Sequence, residues 1–501
     1  MKKNIKMIRI TIQAAITGIL LVMLSCSDFL DKPLQGQLTQ ENFPVTEADA
    51  RQATNAMYNI LRDPSYHSGT FPILDIMSDD ASKGSNPTDG ASTIGTYNSF
   101  THIATESNIN SWWNVLYMGV KRTNVVIEKV PAITMDENLK KRYIGEAHFL
   151  RALFYFDLVR AWGDVPLITT TVQQSNLVRT SKDQIYTLIV DDLLKAIDAL
   201  PEKSQYAAED MGRATKGAAK GILAKVYLFL GDYTNTAKYA LEVINSAQYK
   251  LVENFEDANS KRGEFGSESI FEIGALPLEG ILNGGNQYAN VQGVRGTPNR
   301  GWGFNRPTID LMNAFEANDP RLDATIIFVG EVIDTIAIVG DDGTPDETKD
   351  SNGVTIEMET YNQKVWTPGS NVPTQFDHNR RILRYADVLL MAAEALNKNG
   401  DPGTALQYLN QVRARARAGN PAILPDRTET NTEALNDLIL HERRVELALE
   451  GHRFWDLVRT NKAEAVLGPL GFKKGKHELL PIPQIEMDLT GNVWQQNPQW
   501  N

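Results

Sequence analysis

Apolar residues recur at three- and four-residue spacing through much of the chain, the pattern of helices that bury one face. Trp112, Trp113, Leu116, Val120, Ile127 and Val130 follow it up to Pro131, and Tyr143, Ala147, Leu150, Phe154 and Leu158 follow it again towards Gly163. The spacing predicts two helices that pair antiparallel. A third is predicted from an N-cap at Ser181 through Ile185, Ile189, Leu193 and Ile197 to Leu200, where Pro201 ends it. Residues 214–230 and 233–246 predict a helical hairpin closed by Gly231 and Asp232. Residues 386–418 predict another, closed by Gly400, Asp401 and Pro402.

Both hairpins carry small residues where two helix backbones must approach, Ala224 in the first and Ala392, Ala393 and Ala395 in the second, which is the tetratricopeptide pattern. They are irregular and far apart along the chain, so the expectation is an all-α scaffold rather than a regular solenoid. Between about residues 248 and 380 the pattern changes. Gly, Asn and Pro are frequent there, strand-like alternation is limited to short runs such as 325–329 and 335–339, and one helical patch spans 308–315. So long a stretch without strong helical order, inside a helical protein, is expected to carry binding loops.

The N-terminus changes the picture. Lys2, Lys3, Lys6 and Arg9 precede an apolar run from Ala14 to Leu24, which suits a signal-peptide core better than a bilayer span of about 20 residues. Cys26, the only cysteine, stands just after the small residue Ser25. A lone thiol at that boundary is expected to be acylated by a lipoprotein pathway and to anchor the mature chain. The expected organisation is a signal peptide at 1–25, a lipidated tether at 26–37, an N-terminal helical region with tetratricopeptide-type hairpins at 38–247, and a C-terminal region with variable binding loops at 248–501. Elsewhere no apolar run approaches spanning length.

The chain carries 62 acidic and 50 basic residues. Removal of the leader takes four of the bases and leaves 62 against 46, a net charge of −16. A polyanion is repelled by such a surface, so nucleic acid is not an expected partner. The short basic clusters Arg413/Arg415/Arg417 and Lys473-Lys474 read as solvated faces. The length suffices for a large core in two closely packed halves.

At Phe149-Leu150-Arg151-Ala152-Leu153-Phe154-Tyr155-Phe156, followed by Trp162-Gly163-Asp164-Val165-Pro166-Leu167, the chain resembles the SusD/RagB family of outer-membrane lipoproteins of Bacteroidetes. The resemblance continues from Pro307-Thr308 to Asp319-Pro320-Arg321, at Arg384-Tyr385-Ala386-Asp387, and at Glu442-Arg443-Arg444-Val445-Glu446-Leu447 with Gly451-His452-Arg453-Phe454-Trp455-Asp456-Leu457. It closes at Leu480-Pro481-Ile482-Pro483 and Gln496-Asn497-Pro498. The resemblance implies a SusD-like fold and a non-catalytic glycan binder at the cell surface. It also implies a partner, a SusC-like TonB-dependent transporter that receives oligosaccharide. Because the shared blocks belong to the scaffold, no binding residue carries over from them.

The ligand chemistry is therefore read from this chain alone. Sugar rings present apolar C–H faces edged with hydroxyls, so a site for them needs exposed aromatic rings beside amides or charges. Trp366, Trp302 and Tyr288, with Arg300 next to Trp302, are the candidates in the loop-rich stretch, each open to stacking on sugar or to packing in a satellite core. Tyr66, and Asn86 in the polar loop 82–93, are candidates for a second wall. Trp112, Trp113, Trp162 and Trp455 read as core, and Trp494 and Trp500 as packing anchors.

No enzyme is expected. Glycoside hydrolysis needs two carboxylates across a cleft, and the adjacent acids Asp79-Asp80 and the acidic loop 341–350 read as solvated. No metal site or cofactor is expected either: the histidines lack metal spacing, and there is no phosphate loop or nucleophile elbow. A partial EF-hand match at Asp350, Asn352, Gly353 and Glu359 has Thr348 in its first place and reads as a solvated turn. The alternative function is a tetratricopeptide scaffold that takes a peptide or protein nutrient at the same surface.

Overall fold

The computed structural model describes residues 43–67, 70–173, 177–276, 287–341, 343–369, 377–491 and 493–500. The leader, Cys26 and the tether lie outside the described residues. Thr46 to Asn501 form one compact unit. Its main helices are α1 (Glu47–Asn59), α2 (Ser107–Lys129), α3 (Glu137–Trp162), α4 (Lys182–Ala199), α5 (Lys216–Leu230), α6 (Tyr233–Asn245), α7 (Ile309–Ala314), α8 (Tyr385–Lys398), α9 (Pro402–Ala416), α10 (Thr432–Glu446) and α11 (Arg453–Arg459).

Local chemistry sets their ends. Thr46 and Asp49 form a reciprocal capping box at α1, with Asp49 N–H donating to Thr46 Oγ1 at 3.2 Å and Thr46 N–H to Asp49 Oδ2 at 2.9 Å. The α5–α6 turn places Gly231 at φ +71, and Asp232 Oδ1 caps α6 by accepting from Asn235 N–H at 3.0 Å. The α8–α9 turn repeats this with Gly400 at φ +86 and Asp401 Oδ1 accepting from Thr404 N–H at 3.0 Å. Ala224, Ala392, Ala393 and Ala395 are all fully buried.

Successive helices pack in order from α2 to α6. The next neighbour of α6 is α8, which also carries α9 and α10. The two hairpins that are distant in sequence are thus adjacent, and the helical stack runs on across the insertion between them. Strand β8 (Arg380–Arg384), which leads into α8, pairs antiparallel with β2 (Ser269–Ile273), so Arg380 faces Ile273 and Arg381 faces Glu272. This ladder closes the neck of the insertion. A tryptophan layer fills the other end: Trp112 and Trp162 lie 5.2 Å apart, Trp113 meets Trp162 edge-on at 5.1 Å, and Trp162 Nε1 donates to the Pro481 carbonyl at 3.0 Å.

The remaining strands within and near the insertion also form two-stranded antiparallel ladders. β1 (Ala81–Gly84) pairs with β3 (Phe304–Pro307), β4 (Ile326–Phe328) with β7 (Thr360–Asn362), and β5 (Glu347–Lys349) with β6 (Thr355–Met358). The EF-hand-like stretch is this last hairpin. Asp350 Oδ1 accepts from Asn352 N–H at 2.8 Å and Val354 N–H at 2.9 Å, so its carboxylate is spent on the turn.

Two expectations about surface charge are corrected. Arg413 and Arg415 are buried, not solvated. Arg413 pairs with Glu442 at 2.8 Å and Glu316 at 2.7 Å, and Arg415 with Glu268 at 2.8 Å and with Glu446. Asp79 and Asp80 are buried too, Asp79 against Arg453 at 2.8 Å and Asp80 against Arg444 at 2.7 Å. Arginines that are distant in sequence pull these acids inward, which no local pattern announces. Lys473 and Lys474 are exposed as expected.

The ion pairs form a connected cluster around α10. Arg384 reaches Glu268, Glu446 at 3.1 Å and Glu450 at 2.8 Å. Arg321 reaches Asp319 at 2.8 Å, Glu442 at 2.6 Å and Glu446 at 3.2 Å. Burial by itself raises Glu450, but the Arg384 and Lys364 charges outweigh it and hold the carboxyl well below the ordinary range. Burial likewise opposes Arg415, Arg384 and Arg321 at Glu446, and the arginines win.

Two outcomes follow from the cluster. Arg384→Met removes the cation that Glu268, Glu446 and Glu450 all share, and urea unfolding should show a loss of about 3–5 kcal/mol. An unchanged urea midpoint would show that the cluster contributes nothing net. Carboxyls whose folded pKa is depressed add stability above their unfolded pKa near 4, and this is lost as pH falls. The unfolding free energy should therefore decline as pH is lowered from about 5 to about 3, and Arg384→Met should decline less.

Candidate functional site

The loops beyond the β1–β3 ladder come together at one surface. Their register is set by Ser82 facing Arg306 and Gly84 facing Phe304, and the pairing extends one step further as Ser85 N–H donates to the Gly303 carbonyl at 2.6 Å. The turn after β1 is filled by a cation: Lys83 Nζ donates to the carbonyls of Gly84, Asn86 and Asp89 at 2.8–2.9 Å. Burial lowers the Lys83 pKa from its usual value.

Opposite this turn, the segment 293–303 folds back on itself. A Cβ on Gly301 would come within 2.4 Å of the Asn290 carbonyl oxygen and 2.5 Å of Gly293 Cα, so only glycine permits the approach. Trp302 N–H then donates to the Asn290 carbonyl and Gly303 N–H to the Gly293 carbonyl, each at 3.0 Å. The Trp302 backbone is fixed at both sides while the residue stays 38 % exposed. Arg300, half-buried, donates from Nη1 to the Asn299 carbonyl at 3.2 Å. It makes no salt bridge within 4 Å among the described residues.

Arg295 joins the loops. Its Nε donates to Asp341 Oδ2 at 2.7 Å, and its Nη1 donates to Ser85 Oγ at 3.0 Å and pairs with Asp89. Asn86 adds a bridge from its Nδ2 to the Gly343 carbonyl at 3.0 Å, while its Oδ1 accepts from Thr88 N–H at 3.1 Å. Asn86 therefore positions loops, with one amide hydrogen remaining for a ligand. Sequence reasoning missed Arg295 and Lys83. The one available signal was a charged residue set in each polar or glycine-rich turn.

Of the six candidate residues, the fold brings Trp302, Arg300 and Asn86 to this surface. The other three are interior. Trp366 is 9 % exposed and packs with Val294, Ile327, Ile338 and Tyr361. Its Nε1 donates to Asp334 Oδ2 at 2.8 Å, so it supports the Trp302 loop from below through Val294. Tyr288 is 4 % exposed, with its hydroxyl donating to the Leu449 carbonyl at 3.4 Å and the Arg380 guanidinium 5.0 Å from its ring. Tyr66 is buried against Phe154 and donates to Asp157 Oδ2 at 3.2 Å. Burial drives both phenol pKa values up. Nearby glycines and polar residues leave space along the chain, but partners far away in sequence cover these rings.

The acids near the site are committed to structure. Burial tends to raise Asp79, and Arg453 and Arg444 outweigh it and hold the carboxyl down. Arginine-pinned neighbours of this kind do not make an acid and a base facing each other across a cleft. Among the described residues no group of three or more His, Cys, Asp and Glu side chains is placed to hold a metal ion. No described helix is long and apolar enough to cross a membrane.

The chain is similar in sequence and fold to known proteins. Residues 28–228 match a SusD-like family model described as starch-binding and associating with the outer membrane, and residues 247–500 match the model of the SusD family. SusD-like protein P2 of Formosa agariphila is 29 % identical, over 96 % of this chain and 98 % of its own. A solved laminarin-binding SusD-like protein is 30 % identical with a TM-score of 0.75, over 91 % of this chain and all of its own. Surface glycan-binding protein A from Bacteroides thetaiotaomicron, solved with laminarihexaose, is 26 % identical with a TM-score of 0.76, over 90 % of this chain and all of its own. The helical stack, the loop-bearing insertion and the matches to both halves of the sequence agree that this chain belongs to the SusD family.

Proposed function

We propose that the protein is a non-catalytic, lipid-anchored receptor that binds oligo- or polysaccharide at the outer-membrane surface and passes it to a SusC-like TonB-dependent transporter. The observation that carries this reading is Trp302, a large ring left exposed on a backbone clamped from both sides. Pre-organised loops lose little entropy on binding, so a modest contact area suffices. The indole face suits the C–H face of a pyranose, and Arg300 and the spare Asn86 hydrogen supply donors to its hydroxyls. The laminarin and laminarihexaose ligands of the two solved relatives support a glucan as the first ligand to try.

The scaffold contributes rigidity and no chemistry. Acylation of Cys26 holds the protein beside the transporter, which raises the local concentration of captured sugar and makes weak sites useful. Cys26→Ala should release the protein from outer membranes while leaving its melting temperature unchanged. Retention after carbonate and salt washes would rule out the anchor.

Two tryptophans separate binding from folding. Trp302→Ala should weaken binding to a polysaccharide panel, measured by affinity electrophoresis and calorimetry, by roughly tenfold, with melting unchanged. Trp366→Ala should lower stability by about 3 kcal/mol or more because it empties a buried cluster. Undiminished binding by Trp302→Ala would remove these loops from the site. Peptide binding without any glycan binding by the wild type would overturn the reading.

A further inference from the structure

A second cleft, of about 800 Å³, shares no residue with the Trp302 loops. Gln52, Asn55, Tyr58 and Asn59 of α1 line it together with Met211 and Phe265. A neighbouring cavity of about 350 Å³ has Met211, Gly212, Arg213, Phe265 and Glu272 in common with it, so Phe265 stands at the wall between the two.

Phe265 is held there against its backbone preference. Its φ is +53, in the left-handed region that a bulky residue avoids, and such strain persists where the surrounding structure enforces it. Two glycines make room for the ring. A Cβ on Gly212 would lie 2.8 Å from its Cε1, and one on Gly274 would lie 3.3 Å from its Cζ. Its N–H donates to Glu272 Oε1 at 2.6 Å.

The α1 part of the lining is a stripe of amides. Gln52, Asn55 and Asn59 recur at three- and four-residue spacing, which puts them on one face of α1, and all three are exposed. Two of the charges lining the cleft, Arg213 and Glu272, are matched by opposite charges within the protein, and Arg62, Arg122 and Glu209 line it as well. Arg213 is bound to Asp210 at 2.7 Å, Glu146 at 2.9 Å and Asn55 Oδ1 at 2.8 Å; Arg122 donates to the Ala56 carbonyl at 2.7 Å; Glu272 accepts from Asn379 at 2.9 Å and pairs with Arg381 at 3.1 Å. Arg213 and Glu272 thus offer a ligand no free charge, and beside them the cleft holds the Phe265 ring and the α1 amides, the aromatic and hydrogen-bonding chemistry that recognises a hydroxyl-rich chain.

We infer that this cleft is a second oligosaccharide-binding site, a reading that rests on the glycan-binding function proposed above. Two sites on one chain hold a long polysaccharide more firmly than either holds a short fragment. The test is calorimetric stoichiometry with laminarihexaose, cellohexaose, maltohexaose and xylohexaose, using the full mature protein. The wild type should take two molecules of the hexasaccharide it prefers. Phe265→Gly removes the ring and accepts φ +53 without strain, and once it is shown to melt cooperatively it should take one. Gln52→Trp, on an exposed helical position, fills the cleft without removing packing and should also take one. Trp302→Ala should keep the one that the other two lose. A wild-type stoichiometry of one that disappears in Trp302→Ala, or a stoichiometry of two that survives both cleft variants, overturns the second site and leaves the proposed function standing. Absence of binding by the wild type to any of the four overturns both.

Discussion

Glu446, at the end of α10, is the point on which the described structure depends. Its side chain pairs with Arg321, Arg384 and Arg415, and its carbonyl accepts from Lys364 Nζ at 2.9 Å. Each of these cations comes from a different part of the chain: the loop after α7, the end of β8, the last turn of α9, and the turn below Trp366. Buried charges cost several kcal/mol each to desolvate, and only mutual pairing offsets that cost. The helical stack and the loop-bearing insertion must therefore close on one another in a single arrangement, because any slip strands a charge away from water.

That constraint explains how a protein with many loops can still recognise a ligand. The insertion leaves and re-enters the helical stack through the β2–β8 ladder, beside which Arg384 anchors the start of α8. Further out, Lys83 and Arg295 do on a small scale what Glu446 does in the core, each one holding several loop atoms around one charge. Trp366, Ile338 and Val294 underpin the same loops with apolar contacts. Trp302 is thus presented by a stiff support, so the entropy of ordering it is spent in folding rather than in binding.

The shared blocks of the family acquire a physical meaning here. Asp319, Arg321, Arg384, Glu442 and Glu446 belong to the buried ionic cluster, Asp387 pairs with Arg443, and Trp162 and Pro481 are joined by a hydrogen bond. These blocks are scaffold because moving any of them breaks a pairing. Arg300 and Trp302 touch none of these pairings, which frees such loop positions to differ with the ligand.

The sequence by itself determined most of the long helices, the Gly-Asp turns of the two hairpins and the existence of a loop-rich insertion, while Ser181 stands at the start of α4 without a side-chain cap hydrogen bond. Periodicity, Gly-Asp turns and terminating prolines act within a few residues, so Ser107–Lys129, Lys182–Ala199 and the two hairpins were legible without a structure. Only the tertiary structure decided which side chains face water. Tyr66 is covered through Asp157, Tyr288 through Leu449, and Arg413 through Glu316 and Glu442, all partners far along the chain. It also decided that two hairpins separated by the insertion would pack together, and that Phe265 and a stripe of amides from α1 would line one cleft. The physical reason is that secondary structure follows local backbone preferences, whereas burial is a property of a surface that exists only once distant segments have met.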